Sequence, residues 1–114
     1  MNNVTLVGNM VRDAEVKTTA SQKAVATFTV AVTRKFKSAD GEYQSDFISC
    51  VAWGKTAEFI AKYFPKGSKI GIVGSIQTRT YDNKDGVKQY VTEVNVSDAE
   101  FVERKAKDDV PFDL

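Results

Sequence analysis

Residues 24–33 read Ala-Val-Ala-Thr-Phe-Thr-Val-Ala-Val-Thr, and this ten-residue alternation constrains the fold more than any other stretch. Side chains on a strand point to opposite faces with a period of two. Ala24, Ala26, Phe28, Val30 and Val32 therefore share one face, and Thr27, Thr29, Ala31 and Thr33 share the other. Such a strand needs sheet partners, and the chain offers several. Residues 4–10 read as a strand with Gly8 as a bulge or bend, and residues 12–18 extend it after a kink. Asp40-Gly41 is a turn signal inside a long hairpin, which returns through residues 45–53. Residues 54–64 have helical spacing, with Ala57, Ile60, Ala61 and Phe64 on one stripe and Pro65 and Gly67 as the stop. Residues 69–81 form a long strand with Ile70, Ile72, Gly74 and Ile76 facing inward. Residues 82–86 turn, residues 87–96 return, and Phe101-Val102 adds a short edge.

Three strands, one short helix and two more strands is the order of the OB-fold. That fold is an all-β, five-stranded Greek-key barrel with its helix between strands 3 and 4. With 114 residues, one domain is expected. Residues 1–104 are assigned to it, and residues 105–114 to a short acidic tail without structure.

Composition removes several functions. There is no histidine and only one cysteine, Cys50. A Ser-His or Cys-His triad, histidine metal ligation, an intrachain disulfide and a CxxC pair are all excluded. No apolar run approaches the ~20 residues of a membrane span, and Met1-Asn2-Asn3-Val4 carries no basic n-region, so neither a membrane nor a secretory signal is expected. The net charge of +1 conceals a split. Residues 1–97 carry 13 Lys/Arg against 9 Asp/Glu, and residues 98–114 carry 3 against 6. A mildly basic body with an acidic end points to two surfaces with different partners.

The aromatics sharpen that reading. Period two puts Phe47, Ser49, Val51 and Trp53 on the face opposite Ile48, Cys50 and Ala52. The small aliphatic set fits a narrow barrel interior, which leaves Phe47 and Trp53 outside. On the next long strand the isoleucines point in, so Gln77, Arg79 and Tyr81 point out. Phe36 stands between Lys35 and Lys37 in the first hairpin. Unpaired bases stack on aromatic faces for about 1–3 kcal/mol each without reading base identity. Phosphates need mobile cations, and the hairpins supply Arg34, Lys35, Lys37, Lys84 and Lys88. Tyr43 and Tyr90 are left open, while Phe28, Phe59, Tyr63 and Phe64 are assigned to the core or to helix packing.

Several segments carry a resemblance. Leu6-Val7-Gly8-Asn9, Asp13-Ala14-Glu15-Val16 and Ala24-Val25-Ala26 leading into Phe28-Thr29-Val30-Ala31 occur in order. Asp46-Phe47, Trp53-Gly54-Lys55-Thr56-Ala57-Glu58 and Tyr63-Phe64-Pro65-Lys66-Gly67-Ser68 follow. Gln77-Thr78-Arg79-Thr80-Tyr81 and Tyr90-Val91-Thr92-Glu93-Val94 close the series. Over residues 3–102 the chain resembles bacterial single-stranded DNA-binding proteins. The resemblance implies an OB-fold, a homotetramer around which single-stranded DNA wraps, no catalysis and no cofactor. It carries the family's stacking positions onto Phe36, Phe47, Trp53 and Tyr81, with Phe or Tyr at three sites where the family often has Trp. It carries basic positions onto Lys55, Lys66 and Arg79.

The resemblance also implies partners for the tail. Family members carry a long linker and an acidic tip closing on Pro-Phe. Here the linker is reduced to residues 105–107, and Asp108-Asp109-Val110-Pro111-Phe112 resembles the tip, followed by Asp113 and Leu114. Replication or repair proteins are the expected partners of that segment. A short form of this kind points to a phage-encoded, plasmid-encoded or secondary paralogue, acting in the bacterial cytoplasm at the nucleoid. Two other readings compete: an OB-fold interaction adaptor at the replication fork, and an OB-fold nuclease. A nuclease wants clustered carboxylates around a metal, and Asp82 and Asp85 instead read as turn formers.

Overall fold

The alternating stretch becomes the central strand of a closed barrel. In the computed structural model, which describes residues 1–102, the elements are β1 (Val4–Met10), β2 (Glu15–Thr18), β3 (Ala24–Thr33), β4 (Ser45–Trp53), α1 (Gly54–Tyr63), β5 (Lys69–Asp82) and β6 (Lys88–Phe101). β3 pairs antiparallel with β4 from Val25 to Thr33. β4 runs parallel to β6 over Cys50–Ala52, and β6 pairs antiparallel with β5. β1 pairs with β5 through Val4–Asn9, then passes to β3 at Asn9 and Met10, which closes the circuit. With the short β2 set aside as an extra edge on β3, five strands close in Greek-key order with the helix between the third and fourth. This is the OB-fold.

The interior is narrow and aliphatic. Ala26, Phe28 and Val30 meet Cys50 and Ala52 across the β3–β4 pair, with Ile70, Ile72, Val94 and Val96 opposite. α1 and the Phe64 that caps its C-terminus cover this core, with Ala57, Ile60 and Phe64 all fully or almost fully buried. Burying a side chain such as Ile60 stabilises the fold by about 1.5–3 kcal/mol.

Five local expectations are corrected. Residues 12–18 do not extend β1; only Glu15–Thr18 is a strand, and its partner is β3. Gly8 is no bulge: it sits in regular pairing where any Cβ would strike the Ala31 carbonyl oxygen and the Val30 side chain, so it permits the close approach that seals the barrel. The irregularity lies instead between Val73 and Gly74, where β6 holds one extra residue. Ala61 is exposed, and Phe59 leans inward in its place, 5.5 Å from the Phe64 ring and 5.6 Å from that of Phe101. Ile76 is 48% exposed although it shares the parity of Ile70 and Ile72, because β5 and β6 run on past the barrel as a two-stranded ribbon. Phe101 belongs to β6 itself, not to a separate edge.

Candidate functional site

One wall of the barrel carries a groove of about 700 Å³. Its floor is the outer face of β3, β4 and β6, with Thr27, Thr29, Ser49, Val91 and Glu93. Residues 12–15 form one lip, and Arg79 on the ribbon forms the other. The first lip is pinned from a distance: the Lys66 backbone N–H donates to Asp13 Oδ1 at 2.8 Å, which also brings Lys66 beside the groove.

The four aromatics are open to solvent, and none of them is among the residues that line this groove. Phe36 is 78% exposed, Phe47 67%, Trp53 44% and Tyr81 49%. Phe47 and Trp53 lie six residues apart on the same face of β4, about 20 Å along the strand. Phe47 stands opposite Ala31, and Trp53 opposite Val25. Trp53 also precedes the first turn of α1, in extended conformation and with no side-chain cap. Phe36 belongs to the β3–β4 hairpin, where Gly41 adopts a positive φ of 85° that the turn at Ser38–Glu42 requires. A shallow hollow of about 260 Å³ there is lined by Arg34, Lys35, Phe36, Lys37, Ser38 and Gln44. Tyr81 lies near the ribbon tip on the same side as Arg79, and Lys88 pairs with Asp82 on the other side.

The cations differ sharply in their freedom. Arg34 grips Asp46 in a two-point fork, Nε to Oδ2 at 3.0 Å and Nη2 to Oδ1 at 2.9 Å. Hydrogen bonding from Arg34 holds the Asp46 carboxyl below its ordinary range and raises the Arg34 pKa in return. Arg79 Nε donates to Glu93 Oε1 at 2.9 Å, and its guanidinium carbon lies 5.8 Å from the Tyr81 ring centre. Lys35, Lys55, Lys66 and Lys88 form no ion pair with the described residues. Lys55, in the first turn of α1, borders a separate hollow with Thr56, Phe59, Asp98 and Ala99 rather than the groove.

Of the aromatics left open, Tyr43 lies under the Lys37 ammonium at 5.6 Å, and Tyr90 points to the side of the ribbon away from the groove. Asp82, expected in the turn, is instead the last residue of β5 and stands opposite Lys88, while Asp85 lies in the β5–β6 turn, where Asn83 Oδ1 accepts from the Asp85 and Val87 backbone N–H groups. Among the described residues no group of three potential metal ligands exists, and no helix is long and apolar enough to cross a membrane. Asp108, Asp109, Val110, Pro111 and Phe112 lie outside the described residues.

Sequence reasoning missed Arg12 and Glu93. Arg12 was hidden by reading residues 12–18 as one strand. Glu93 was legible, because it shares parity with Val91 and Asn95 and opposes the buried Val94 and Val96.

Known sequences resemble this one over most of its length. Residues 1–102 match the sequence model of the Single-strand binding protein family. The chain is 53% identical over 106 residues to a protein named Single-stranded DNA-binding protein 2 from Streptococcus pyogenes serotype M18, covering 93% of this chain and 65% of that one. It is 52% identical over 93% of its length to Single-stranded DNA-binding protein of Streptococcus pneumoniae serotype 4, covering 68% of that protein. Identity to Single-stranded DNA-binding protein 1 of Streptococcus agalactiae serotype III is 50%, with 93% and 65% covered. The chain thus spans about two thirds of the length of these curated relatives.

Proposed function

The chain belongs to the single-strand binding protein family, and from that premise we propose that it binds single-stranded DNA without reading its sequence. The observation that carries this reading is the exposure of Phe36, Phe47, Trp53 and Tyr81, with Phe47 and Trp53 on the same outer face of β4 as Ser49 of the groove floor. Large aromatic faces left in water are unfavourable unless something covers them, and an unpaired base does so for about 1–3 kcal/mol each. Lys35, Lys55, Lys66 and Lys88 supply phosphate contacts, and Arg34 joins them by exchanging Asp46 for a phosphate. Stacking makes the binding tolerant of sequence, and phosphate contacts make it salt-dependent.

No reaction and no cofactor is part of this reading. The protein covers transient single strands in replication, recombination and repair, in the bacterial cytoplasm at the nucleoid. The body, residues 1–104, does the binding as a homotetramer. An apolar mouth of about 280 Å³, with Val4, Leu6, Ile48, Ile76 and Val94 beside Phe47, favours assembly with further copies. Residues 105–114 are the acidic arm, in which Asp108 to Phe112 offers replication or repair proteins a contact. An adaptor reading is weaker, since an adaptor has no use for the exposed aromatics.

Titration with poly(dT) while following Trp53, the only tryptophan, tests the reading. Strong quenching by single strands and little by duplex is expected, with light scattering giving the mass. Equal binding of duplex, or saturation without any change in emission, would count against it.

A further inference from the structure

Two arginines of the site are ion-paired, but in unlike surroundings. In the Arg34–Asp46 pair the side chains are 57% and 46% exposed. In the Arg79–Glu93 pair the arginine is equally open, yet the Glu93 side chain is only 15% exposed. Opposite β5 residues on the ribbon place Arg79 across from Val91 and Glu93 across from Gln77, so the pair is diagonal and lies on the groove side.

An exposed pair is worth little and trades partners easily with a phosphate. A mostly covered carboxylate does not, because losing its partner leaves a charge poorly solvated. The groove adds a second barrier to phosphate. Its lining has two arginines, Arg12 and Arg79, against three carboxylates, Asp13, Glu15 and Glu93. A phosphate placed there meets a formal surplus of negative charge, whereas an uncharged base does not. The bond to Glu93 engages the Nε edge of the guanidinium, not its plane. The guanidinium carbon lies 5.8 Å from the Tyr81 ring centre, and a guanidinium plane can stack on aromatic rings as well as bind anions.

We propose that Glu93 is a positioning residue that keeps Arg79 off the phosphates and presents its guanidinium, beside Tyr81, as a stacking surface for a base. The proposal rests on the single-strand-binding reading above. It makes bases, not phosphates, the occupants of this groove, and it sends the backbone along the lysines outside.

The test is poly(dT) affinity of the full chain as a function of salt. For single strands the log–log slope is about −0.7 per phosphate neutralised. Arg79→Ala and Arg79→Lys should each weaken binding by about 2- to 5-fold, the range of an exposed cation–π contact, with an unchanged slope. Lysine keeps the charge and loses the plane, so it should not rescue. Glu93→Gln should free Arg79 for a phosphate and steepen the slope by about 0.7, while Glu93→Asp should stay near the parent slope. Thermal unfolding checks that each variant folds; if Glu93→Gln does not, the two Arg79 variants decide. A slope made shallower by about 0.7 in Arg79→Ala, full rescue by Arg79→Lys, or no effect of either change overturns the proposal. Failure of the unaltered chain to bind poly(dT) would instead overturn the reading it rests on.

Discussion

Replacing Phe47 with alanine separates a binding aromatic from a core aromatic, because the two roles predict opposite ratios of effect. Phe47 is 67% exposed, so only about a third of its surface is covered by the protein. Fully burying a Phe is worth about 1.5–3 kcal/mol, and a third of that is about 0.5–1 kcal/mol. For a domain of this size such a loss lowers Tm by roughly 2–8 °C. Loss of a stacked base costs about 1–3 kcal/mol, which is a 5- to 150-fold weaker Kd. Phe47→Ala should therefore cost more in binding than in stability.

The assay pairs thermal unfolding with a poly(dT) titration at fixed salt, and a sedimentation measurement gives the mass. That third arm matters because Phe47 also borders the apolar mouth with Val4, Leu6, Ile48 and Ile76. Phe47→Tyr, which keeps the ring, should restore most of the affinity. The reasoning is refuted if Phe47→Ala lowers Tm by well over 10 °C while the folded fraction binds normally. It is equally refuted if the mass falls and affinity follows only the loss of assembly.

Three further outcomes are expected. Gly74→Ala should destabilise the fold strongly, since its Cβ would meet the Asn95 carbonyl oxygen at the register shift; unfolding by urea measures it, and an unchanged midpoint would contradict the geometry. Burial pushes the Cys50 thiol from 9.0 up to about 12, so the native protein should resist thiol reagents at pH 8 and react on unfolding. The unfolded thiol ionises first, so this group's contribution is full below about pH 9 and is lost as pH rises towards 12. Deleting residues 106–114 removes three carboxylates and one lysine, and affinity for poly(dT) should stay equal or rise modestly at low salt; a severe loss with the assembly intact would place that segment in the binding surface.

How much of this was legible depended on the range of the information. Period two in residues 24–33 and 45–53 is local, and it correctly separated Ile48, Cys50 and Ala52 from Phe47 and Trp53. The same rule failed at Ile76, because parity says which side a residue takes but not where the barrel stops covering that side. The helix stripe wrongly included Ala61 and left Phe59 out of it, because what α1 packs on includes Phe101, about 40 residues later. Arg12 escaped for a similar reason: the lip it belongs to is held by Asp13 on the backbone of Lys66, a contact 53 residues apart.

Charge shows the limit most clearly. Counting lysines and arginines along the chain treats every cation as available. Whether Arg34 meets Asp46 depends on the register that sets Val32 opposite Asp46, and whether Arg79 meets Glu93 depends on Gln77 standing opposite Glu93. A slip of one residue in either pair would turn the carboxylate to the other face and leave the arginine free. The sequence therefore names the cations, but the register decides which of them a phosphate can reach. Affinity and salt dependence in this protein should follow the unpaired lysines more closely than the total count of basic residues.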